Sequence, residues 1–336
     1  MNIRVGILTA PHIEFEQRAN TFILKNVRIG IGFHWDRHED QEFAGTLEIR
    51  TNADGSQTAI NTIDLEDYLC SVISSEMNAN SPMELLKAHA VISRSWAIRA
   101  MQKPNHEGFH VCADDHCQRY EGLRRMNKRA VEAVNATRGQ VLMFGDEICD
   151  CRYYKCCGGR TEIWRTCWED IDVPYIQSVQ CDFCKSPSPK VLRLVLNDYD
   201  QETKDFRDWS VTYTAEELSE IIRSKSGIDF GEILDLIPLH RGASGRIDSL
   251  KIVGTKHTEV IGKELKIRYW LSKSCLYSSW FEVSHENGLW TLNGHGWGHG
   301  AGLCQIGAAV MASEGRPYEE ILSYYYVGSR LSAPAQ

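Results

Sequence analysis

The chain has 336 residues, of which 43% are hydrophobic and 24% are charged, so it has the length and the composition of a folded globular protein. Its 37 Lys and Arg residues against 45 Asp and Glu residues give a formal charge of -8, which repels nucleic-acid phosphates. We therefore expect no nucleic-acid partner. No run approaches the roughly 18 apolar residues of a membrane-spanning helix, and the start of the chain does not have a signal-peptide pattern. We therefore expect no transmembrane segment, and the chain is either a cytosolic protein or a mature or trimmed form.

Short β-rich runs separated by turn residues fill the first sixty residues. Two of them, Ile3 to Leu8 and Thr58 to Ile63, are typical of this part of the chain, which we predict to form antiparallel strands. Strand patterns return in residues 140–154 and 247–269. The pattern in residues 247–269 predicts a hairpin pair along its whole length.

The hydrophobic period changes to three and four residues after the first strands. Between Asp64 and Met77 this spacing predicts an amphipathic helix with Asp64 as its N-cap. A second helix is predicted to begin at Pro82, with Ser81 and Glu84 as a capping box. It continues through a long stretch without Gly or Pro, so the two helices form a pair.

Later helical patterns complete the predicted fold. They lie at Lys128 to Ala136, Thr214 to Ser224 and Gln305 to Tyr326. No internal repeat is visible, and we predict an α+β fold, an antiparallel β-rich body with an inserted helical layer. We divide it into an N-terminal β-rich segment, residues 1–60, and a larger domain, residues 61–330, with residues 185–285 as a candidate subdomain.

Three charged residues of the helix pair are candidate functional groups. Glu76 ends the first helix just before the second begins, and burial of a carboxyl group at such a corner favours its protonated form, which suits a general acid. Lys87 and Arg94 are seven residues apart, so they lie about 20° from one another on one helix face. Both cations would then face a substrate groove. The alternative is that all three are solvated surface residues.

Histidine and cysteine residues cluster between His106 and Cys117. The cluster also contains His110, Cys112 and His116, all within twelve residues. Imidazole and thiolate ligands packed this closely suit a tetrahedral zinc site with no open position. The alternative is a pair of buried thiols beside surface histidines.

A second group of cysteines leaves three alternatives open. It consists of Cys156, Cys157, Cys167, Cys181 and Cys184. The group could bind a second zinc ion, form disulfides if the protein works outside the cytoplasm, or contain free buried thiols.

The glycine-spaced run from Gly294 to Gly302 superficially resembles a dinucleotide-binding loop. Only 34 residues follow Gly302, which is too few for a βαβ unit with its acidic partner. Glycines also permit positive φ and close backbone approach, and Trp297 offers a flat apolar face to a sugar ring. His295 and His299 either hydrogen-bond this turn or line a substrate groove.

A series of sequence blocks between Ile60 and Tyr326 forms one larger pattern. The blocks are Leu65 to Leu69, Ser75 to Met77, Ser81 to Val91, Arg94 to Ala97, His116 to Gly122, Ala136 to Gly139, Cys157 to Thr161, His295 to Gly300 and Gln305 to Ala308. In this order they resemble the SpoIID/LytB family of peptidoglycan-acting proteins. One departure is Asn78, where family members commonly have Pro.

The resemblance implies a lytic transglycosylase whose catalytic glutamate is Glu76. As an acid, Glu76 would protonate the glycosidic oxygen between N-acetylmuramic acid and N-acetylglucosamine. As a base, it would take the proton of the muramoyl C6 hydroxyl, so that a 1,6-anhydro ring closes without water. This chemistry differs from that of glycosidases with paired carboxylates. The resemblance also places the helix cations on Lys87 and Arg94, which would orient sugar amides or peptide-stem carboxylates.

The resemblance also implies a cofactor, partners and a location. We expect one structural zinc ion per chain, bound by His106, Cys112, His116 and Cys117, with His110 as a substitute for His106, and no organic cofactor. The expected partners are peptidoglycan glycan strands and other cell-wall hydrolases, and the substrate implies an extracytoplasmic location. One alternative is a non-catalytic wall-binding module that recruits or stimulates an amidase. Another is a zinc-dependent hydrolase, which requires an open metal position.

Overall fold

The computed structural model describes residues 1–31, 36–78, 80–114, 116–185, 187–196 and 207–333. Helices and strands alternate along these ranges, and most sheets are antiparallel, so the predicted α+β class is confirmed. The helices are α1 (Leu65–Glu76), α2 (Met83–Gln102), α3 (Lys128–Ala136), α4 (Trp164–Cys167), α5 (Pro189–Val195), α6 (Ala215–Ser226), α7 (Glu264–Trp270), α8 (Gln305–Ser313) and α9 (Tyr318–Tyr325). Among the described residues, no helix has both the length and the apolar character needed to cross a bilayer.

Eighteen strands are found in the described ranges, arranged in six small sheets. The strands are β1 (Asn2–Ala10), β2 (Phe15–Gln17), β3 (Thr21–Ile29), β4 (Arg37–Ala44), β5 (Thr46–Thr51), β6 (Gln57–Asp64), β7 (Val111–Cys112), β8 (Val141–Phe144), β9 (Glu147–Ile148), β10 (Tyr153–Tyr154), β11 (Asp208–Thr214), β12 (Ile233–Arg241), β13 (Ile247–Gly254), β14 (Thr258–Ile261), β15 (Phe281–Glu286), β16 (Leu289–His295), β17 (Leu303–Cys304) and β18 (Arg330–Ser332).

The N-terminal strands form two sheets. The first has the order β5-β6-β1-β7, and its central pair is antiparallel, with Ile3 opposite Ile63. The short strand β7 adds to β1 in parallel and connects this sheet to the loop rich in His and Cys. The second sheet, β2-β3-β4, is antiparallel and buries alternate residues of β3 such as Phe22 and Leu24. The predicted antiparallel strands of this region are therefore confirmed.

The predicted helix pair is present, and Asp64 caps the first helix by accepting a hydrogen bond from the Glu66 amide. The predicted capping box of the second helix is wrong. The Ser81 hydroxyl donates instead to the carbonyl of Leu194. The Glu84 carboxylate accepts from the Tyr318 amide, so both side chains connect α2 to other elements.

Three hydrophobic cores hold the molecule together. The first unites the N-terminal strands with α1, α2 and α3, and the predicted boundary between residues 60 and 61 lies inside β6. The second core lies on the other side of α2 and contains α8, α9 and most of the buried cysteines. The third is formed by residues 209–292, which overlap the candidate subdomain at 185–285. The helix α2 therefore packs against two cores at once.

The predicted hairpin pair in residues 247–269 is correct only in its first part. Strands β13 and β14 pair antiparallel, with Leu250 opposite Ile261. The chain then forms α7 instead of continuing as a strand. Ile267 and Trp270 are three residues apart, and the helix buries both in the third core.

Candidate active site

A cleft of about 1490 Å³ runs between the N-terminal sheets and the helical layer. Its wall includes Glu76 at the end of α1, and Trp297 and His299 from the glycine-rich segment before α8. The His/Cys loop lies along the same cleft. The tertiary structure therefore brings together residues that are more than two hundred positions apart in the sequence.

The Glu76 carboxyl group is half-buried in the wall of the cleft. Its Oε1 atom accepts a hydrogen bond from the Arg119 backbone amide at 2.8 Å and one from the Tyr153 hydroxyl at 3.1 Å. Burial, and then the nearby Glu76 charge, raise the pKa of Tyr153 well above its ordinary value, so the phenol keeps its proton and donates. Two donors thus hold the carboxyl group in one orientation at the cleft.

A buried histidine packs against the Tyr153 ring. The ring of His89, on α2, lies 4.4 Å from the Tyr153 ring. The Gln305 amide donates to His89 Nε2 at 3.1 Å, so the proton of the neutral ring is on Nδ1, which donates to the Ser93 hydroxyl. Burial lowers the pKa of His89 to about 3. The ring is therefore neutral over the physiological pH range.

His299 hydrogen-bonds the glycine-rich turn and also faces the cleft. The Ala301 amide donates to His299 Nδ1 at 3.1 Å, which leaves Nε2–H to donate to the Tyr153 carbonyl. Burial, followed by the nearby Arg152, lowers the pKa of His299 well below its usual value. The turn requires glycine at Gly296, whose φ is 77° and where a Cβ would lie 2.8 Å from a backbone carbonyl. His299 therefore both hydrogen-bonds the turn and lines the cleft.

An aromatic wall lies beside this turn, with the Trp168 ring 4.8 Å from the His299 ring. The Arg152 guanidinium lies over the rings of Trp96, Trp164 and Trp168, at 5.6, 5.3 and 4.9 Å from their centroids. All four residues line the cleft. Flat apolar faces beside a cation suit sugar rings that carry carboxylates.

The His/Cys loop brings four candidate ligands together. The ligand atoms of His106, Cys112, His116 and Cys117 all lie within 4.8 Å of one another. His106 Nε2 is 3.2 Å from Cys117 Sγ, and His116 Nδ1 is 3.4 Å from the same sulfur. Hydrogen bonding by the Cys117 thiol, and then by His116, lowers the pKa of the Cys112 thiol to about 4, which favours a thiolate. Two sulfur and two imidazole donors at this separation fit one tetrahedral ion.

Comparison with known proteins finds a family match over the region that contains Glu76 and the four candidate ligands. Residues 53–144 match the family model SpoIID, described as Stage II sporulation protein. The chain is 28% identical over 293 residues to Stage II sporulation protein D of Bacillus subtilis, which covers 82% of this chain and 76% of that protein.

These matches support the resemblance of the chain to the SpoIID/LytB family.

Two further relatives extend the comparison. An uncharacterized protein of Brachyspira hyodysenteriae is 28% identical over 289 residues, 85% of this chain and 71% of that protein. The amidase enhancer of Bacillus subtilis is 25% identical over 294 residues, 78% of this chain and 40% of that protein.

The cleft is built from two matched segments. Glu76 and the four His/Cys ligands lie in the SpoIID match. Residues 162–302 match a domain of unknown function, DUF8618, and this segment contributes Trp164, Trp168, Trp297 and His299. The carboxyl group and most of the aromatic wall therefore come from different parts of the chain.

The cations predicted to bind substrate are placed away from the cleft. Arg94 is fully buried, and its guanidinium donates to both oxygens of Glu66 at 2.9 and 2.7 Å. Lys87 is paired with Glu84 at 2.7 Å and lies over the Tyr318 ring. The seven-residue spacing predicts a shared helix face but not what that face contacts. Substrate contact by these two cations is therefore not supported.

Two predicted histidines also have protein partners. His295 Nδ1 lies 2.6 Å from an oxygen of Asp208, and the ring packs beside Trp280 outside the cleft wall. His110 Nδ1 accepts from the Arg4 amide at 3.0 Å, so it is not grouped with the four ligands. Among the predicted substrate-binding residues, Trp297 and His299 are the ones that the structure brings to the cleft of Glu76.

The sequence analysis missed Tyr153 and the role of the Arg119 amide. Tyr153 lies on a strand of two residues, which has no periodicity to find. The Arg119 amide is a backbone group, so the identity of its side chain does not reveal it. Arg119 does lie in one of the blocks that resemble the family. The tryptophans Trp164 and Trp168 are four residues apart, which is the one signal that could have placed them on a common face.

Proposed function

We propose that this protein is a lytic transglycosylase that cleaves peptidoglycan glycan strands, with Glu76 as general acid and then general base. The observation that carries the proposal is the half-buried Glu76 carboxyl group in the cleft wall, held at Oε1 by the Arg119 amide and the Tyr153 hydroxyl. The relatives named Stage II sporulation protein D and amidase enhancer support a cell-wall role.

The proposed reaction uses one carboxyl group twice. Protonated Glu76 gives its proton to the glycosidic oxygen between N-acetylmuramic acid and N-acetylglucosamine, and the bond from that oxygen to muramoyl C1 breaks. The Glu76 carboxylate then takes the proton of the muramoyl C6 hydroxyl, whose oxygen bonds to C1. The 1,6-anhydro ring closes, no water is consumed and Glu76 is protonated again.

Two other carboxylates of the cleft, Asp114 and Glu169, are engaged with protein groups. Asp114 accepts from the backbone amides of Gly30 and Ile31, and Glu169 accepts from the Trp164 indole. A mechanism with two catalytic carboxylates needs both of them directed at the same bond. The arrangement around Glu76 favours the mechanism with one.

Positive charge in the cleft suits an anionic substrate. The cationic residues of its wall are Lys25, Arg28, Lys103, Arg119, Arg152, Lys155 and Arg268. Its acidic residues are Glu14, Glu76, Asp114 and Glu169. Cations outnumber carboxylates seven to four in the wall, although Lys25, Arg28, Arg152 and Arg268 pair with carboxylates outside it. Cations of the wall would bind lactyl and peptide-stem carboxylates of peptidoglycan.

The four His/Cys ligands would hold one structural zinc ion. Two thiolates and two imidazoles complete a tetrahedral shell, so zinc there would order the loop and would have no open position for water. This ligand set argues against a zinc-dependent hydrolase. The loop carries Arg119, whose amide holds Glu76, so the ion would stabilise the catalytic geometry from a distance.

A second candidate is a wall-binding module that stimulates an amidase without cleaving glycan. The relative named amidase enhancer favours it. Both functions would place the protein outside the cytoplasmic membrane, where peptidoglycan is found. They differ in whether Glu76 exchanges a proton with the glycan.

Mass spectrometry of the material released from purified sacculi tests the proposal. We expect muropeptides that end in 1,6-anhydro-muramic acid, each lighter by one water than the hydrolysis product. Glu76→Gln should release none of them while it still sediments with sacculi. Lys87→Ala, which changes a charge outside the cleft, is the matched control and should release the parental products.

The two candidates predict different results with an added amidase. If the parent releases no anhydro products but accelerates an amidase, and Glu76→Gln does so equally well, the wall-binding module is the function. Reducing-end products that contain the added water would instead indicate a hydrolase.

A further inference from the structure

Four cysteines converge in the interior, away from the cleft. Cys157, Cys181, Cys184 and Cys304 are each 0% exposed, and their sulfur atoms all lie within 4.8 Å of one another. The Cys157 and Cys184 sulfurs are 3.1 Å apart, and all twelve cysteines are free thiols. Three of the four belong to the second cysteine group of the sequence, whereas Cys304 does not.

We propose that Cys157, Cys181, Cys184 and Cys304 bind a second metal ion, a single structural Zn²⁺ with four thiolate ligands. A Zn–S distance of about 2.3 Å in a tetrahedron places the sulfurs about 3.8 Å apart. One sulfur pair is 3.1 Å apart and no pair is more than 4.8 Å apart, so one ion reaches all four sulfurs after small shifts. A polynuclear iron–sulfur cluster needs a wider cage, because several irons and sulfides lie between the cysteines.

Backbone amides are arranged around the sulfurs as they are around metal-bound thiolates. The Cys157 and Gly307 amides donate to Cys304 Sγ at 3.3 and 3.4 Å, and the Gly159 amide donates to Cys157 Sγ at 3.4 Å. Such donors orient the ligands and spread their negative charge. Cys304 is also the N-cap of α8, where the helix dipole favours a thiolate.

A buried cation offsets the charge that a four-thiolate zinc site would carry. Four thiolates around Zn²⁺ leave a net charge of about two negative units, which is costly in the interior unless it is compensated. Arg246 is fully buried, and its guanidinium donates to the Cys157 carbonyl at 3.4 Å and to the Gly298 carbonyl at 3.1 Å. Its positive charge therefore lies next to the proposed ion.

The proposed ion would connect three segments, two of which reach the cleft through Tyr153 and Gln305. Cys157 follows the strand of Tyr153, and Cys304 precedes α8, 147 residues later. Cys181 and Cys184 have the two-residue spacing typical of zinc ligands and lead to α5. The carbonyls at the end of α5 accept from Ser81 and Asn78, which follow α1 and Glu76. The ion would thus link the strand of Tyr153 to the segment that contacts the loop after Glu76.

Metal analysis of the intact protein tests this second site. Protein purified in reducing buffer without chelator should contain two zinc ions per chain, one at each cluster. Cys112→Ala should remove the ion at the His/Cys loop and leave one, and zinc-edge X-ray absorption of this variant should show four sulfurs at about 2.3 Å with no nitrogen. This measurement leaves all four proposed ligands unchanged, so it does not depend on how a variant of the buried cluster folds.

A pair of matched variants locates the ion. Cys184→Ala should carry one zinc ion fewer than the parent, whereas Cys149→Ala, which removes an equally buried thiol outside both clusters, should keep the parental count. A Cys112→Ala protein without metal, or with imidazole nitrogen in its zinc shell, would overturn the proposal. So would a disulfide between Cys157 and Cys184 in the native protein under non-reducing mass spectrometry. Because no readout is glycan cleavage, the outcome is independent of whether the protein is a transglycosylase.

Discussion

The helix pair places its two most prominent charges, Glu76 and Arg94, in opposite environments. Glu76 is half-buried at the cleft, and its partners are a backbone amide and a phenol. Arg94 is fully buried, and its partner is the Glu66 carboxylate. A carboxyl group beside a cavity can exchange a proton with a ligand, whereas an enclosed guanidinium connects helices. The comparison teaches that charge on a helix identifies a functional residue only when the surroundings of its face are known.

The largest expected effect is on stability, at Arg94. Arg94→Met leaves the Glu66 carboxylate buried without its cation, so we expect the free energy of unfolding to fall by about 3–5 kcal/mol. Urea denaturation followed by circular dichroism measures the loss. The double variant Glu66→Leu/Arg94→Met should recover most of it, because no buried charge remains. Parental stability combined with weak binding to sacculi would return Arg94 to the substrate-binding residues.

At Glu76 we expect a large loss of activity and little loss of stability. Glu76→Gln keeps the size and the accepting oxygen of the side chain but removes its proton transfer, so the rate of anhydro-muropeptide release should fall by about 10²-fold or more. This equals about 2.7 kcal/mol in activation free energy. Thermal unfolding should stay close to that of the parent. If the variant retains the parental rate, Glu76 is not the proton donor.

Acid should destabilise the protein through the buried neutral histidine behind Tyr153. The pKa of His89 is about 3 in the folded protein and about 6.5 in the unfolded chain, so below pH 6.5 the unfolded chain takes up a proton that the folded protein does not. This contribution to stability is complete above that pH and is lost as the pH falls. Between pH 6.5 and about pH 5 the loss is about 2 kcal/mol. His89→Gln should show a shallower decline in urea denaturation at a series of pH values; an unchanged slope would mean that His89 is protonated in the folded state.

A smaller effect on the reaction is expected at Tyr153. Tyr153→Phe keeps the ring against His89 but removes one hydrogen bond to Glu76, which is worth about 1 kcal/mol and slows glycan cleavage about fivefold. Initial rates at low substrate concentration measure the change, and the products should still be 1,6-anhydro-muropeptides. A loss as large as that of Glu76→Gln would make Tyr153 a proton-transfer group in its own right.

The smallest effect is expected at Lys87. Its ion pair with Glu84 is partly exposed and lies outside the cleft, so Lys87→Ala should change stability by about 0.5 kcal/mol or less and leave glycan cleavage at the parental rate. Parallel denaturation and activity measurements check both. Reduced binding to sacculi would show that the sequence-based prediction for Lys87 was right.

Features determined by neighbouring residues could be predicted from the sequence. The Asp64 cap and the helix after it follow from local hydrogen bonding and from a hydrophobic period of three to four residues. The grouping of His106, Cys112, His116 and Cys117 could also be predicted, because thiol and imidazole groups this close along a chain are typical zinc ligands. The structure excludes His110 from this group because the Arg4 amide, which is distant in sequence, binds its ring.

Features that depend on distant contacts could not be predicted. The Ser81 hydroxyl would cap α2 in isolation, but in the fold it is directed to the Leu194 carbonyl, to which it donates. The chain after Ile261 alternates like a strand, but α7 buries two of its apolar side chains in the third core. In both cases the local preference is worth less than the tertiary contact that replaces it.

The sequence by itself determined the family resemblance, the α+β class, the candidate acid Glu76 and the candidate metal ligands of the His/Cys loop, because each depends on the identity and spacing of nearby residues. Only the tertiary structure decided which charges reach the cleft, that Tyr153 and the Arg119 amide hold Glu76, and that Cys304 joins three cysteines from more than a hundred residues earlier. The physical reason is that a helical or strand period specifies which residues share a face, whereas the packing of that face against a core, a counter-ion or a cavity is settled by the whole chain.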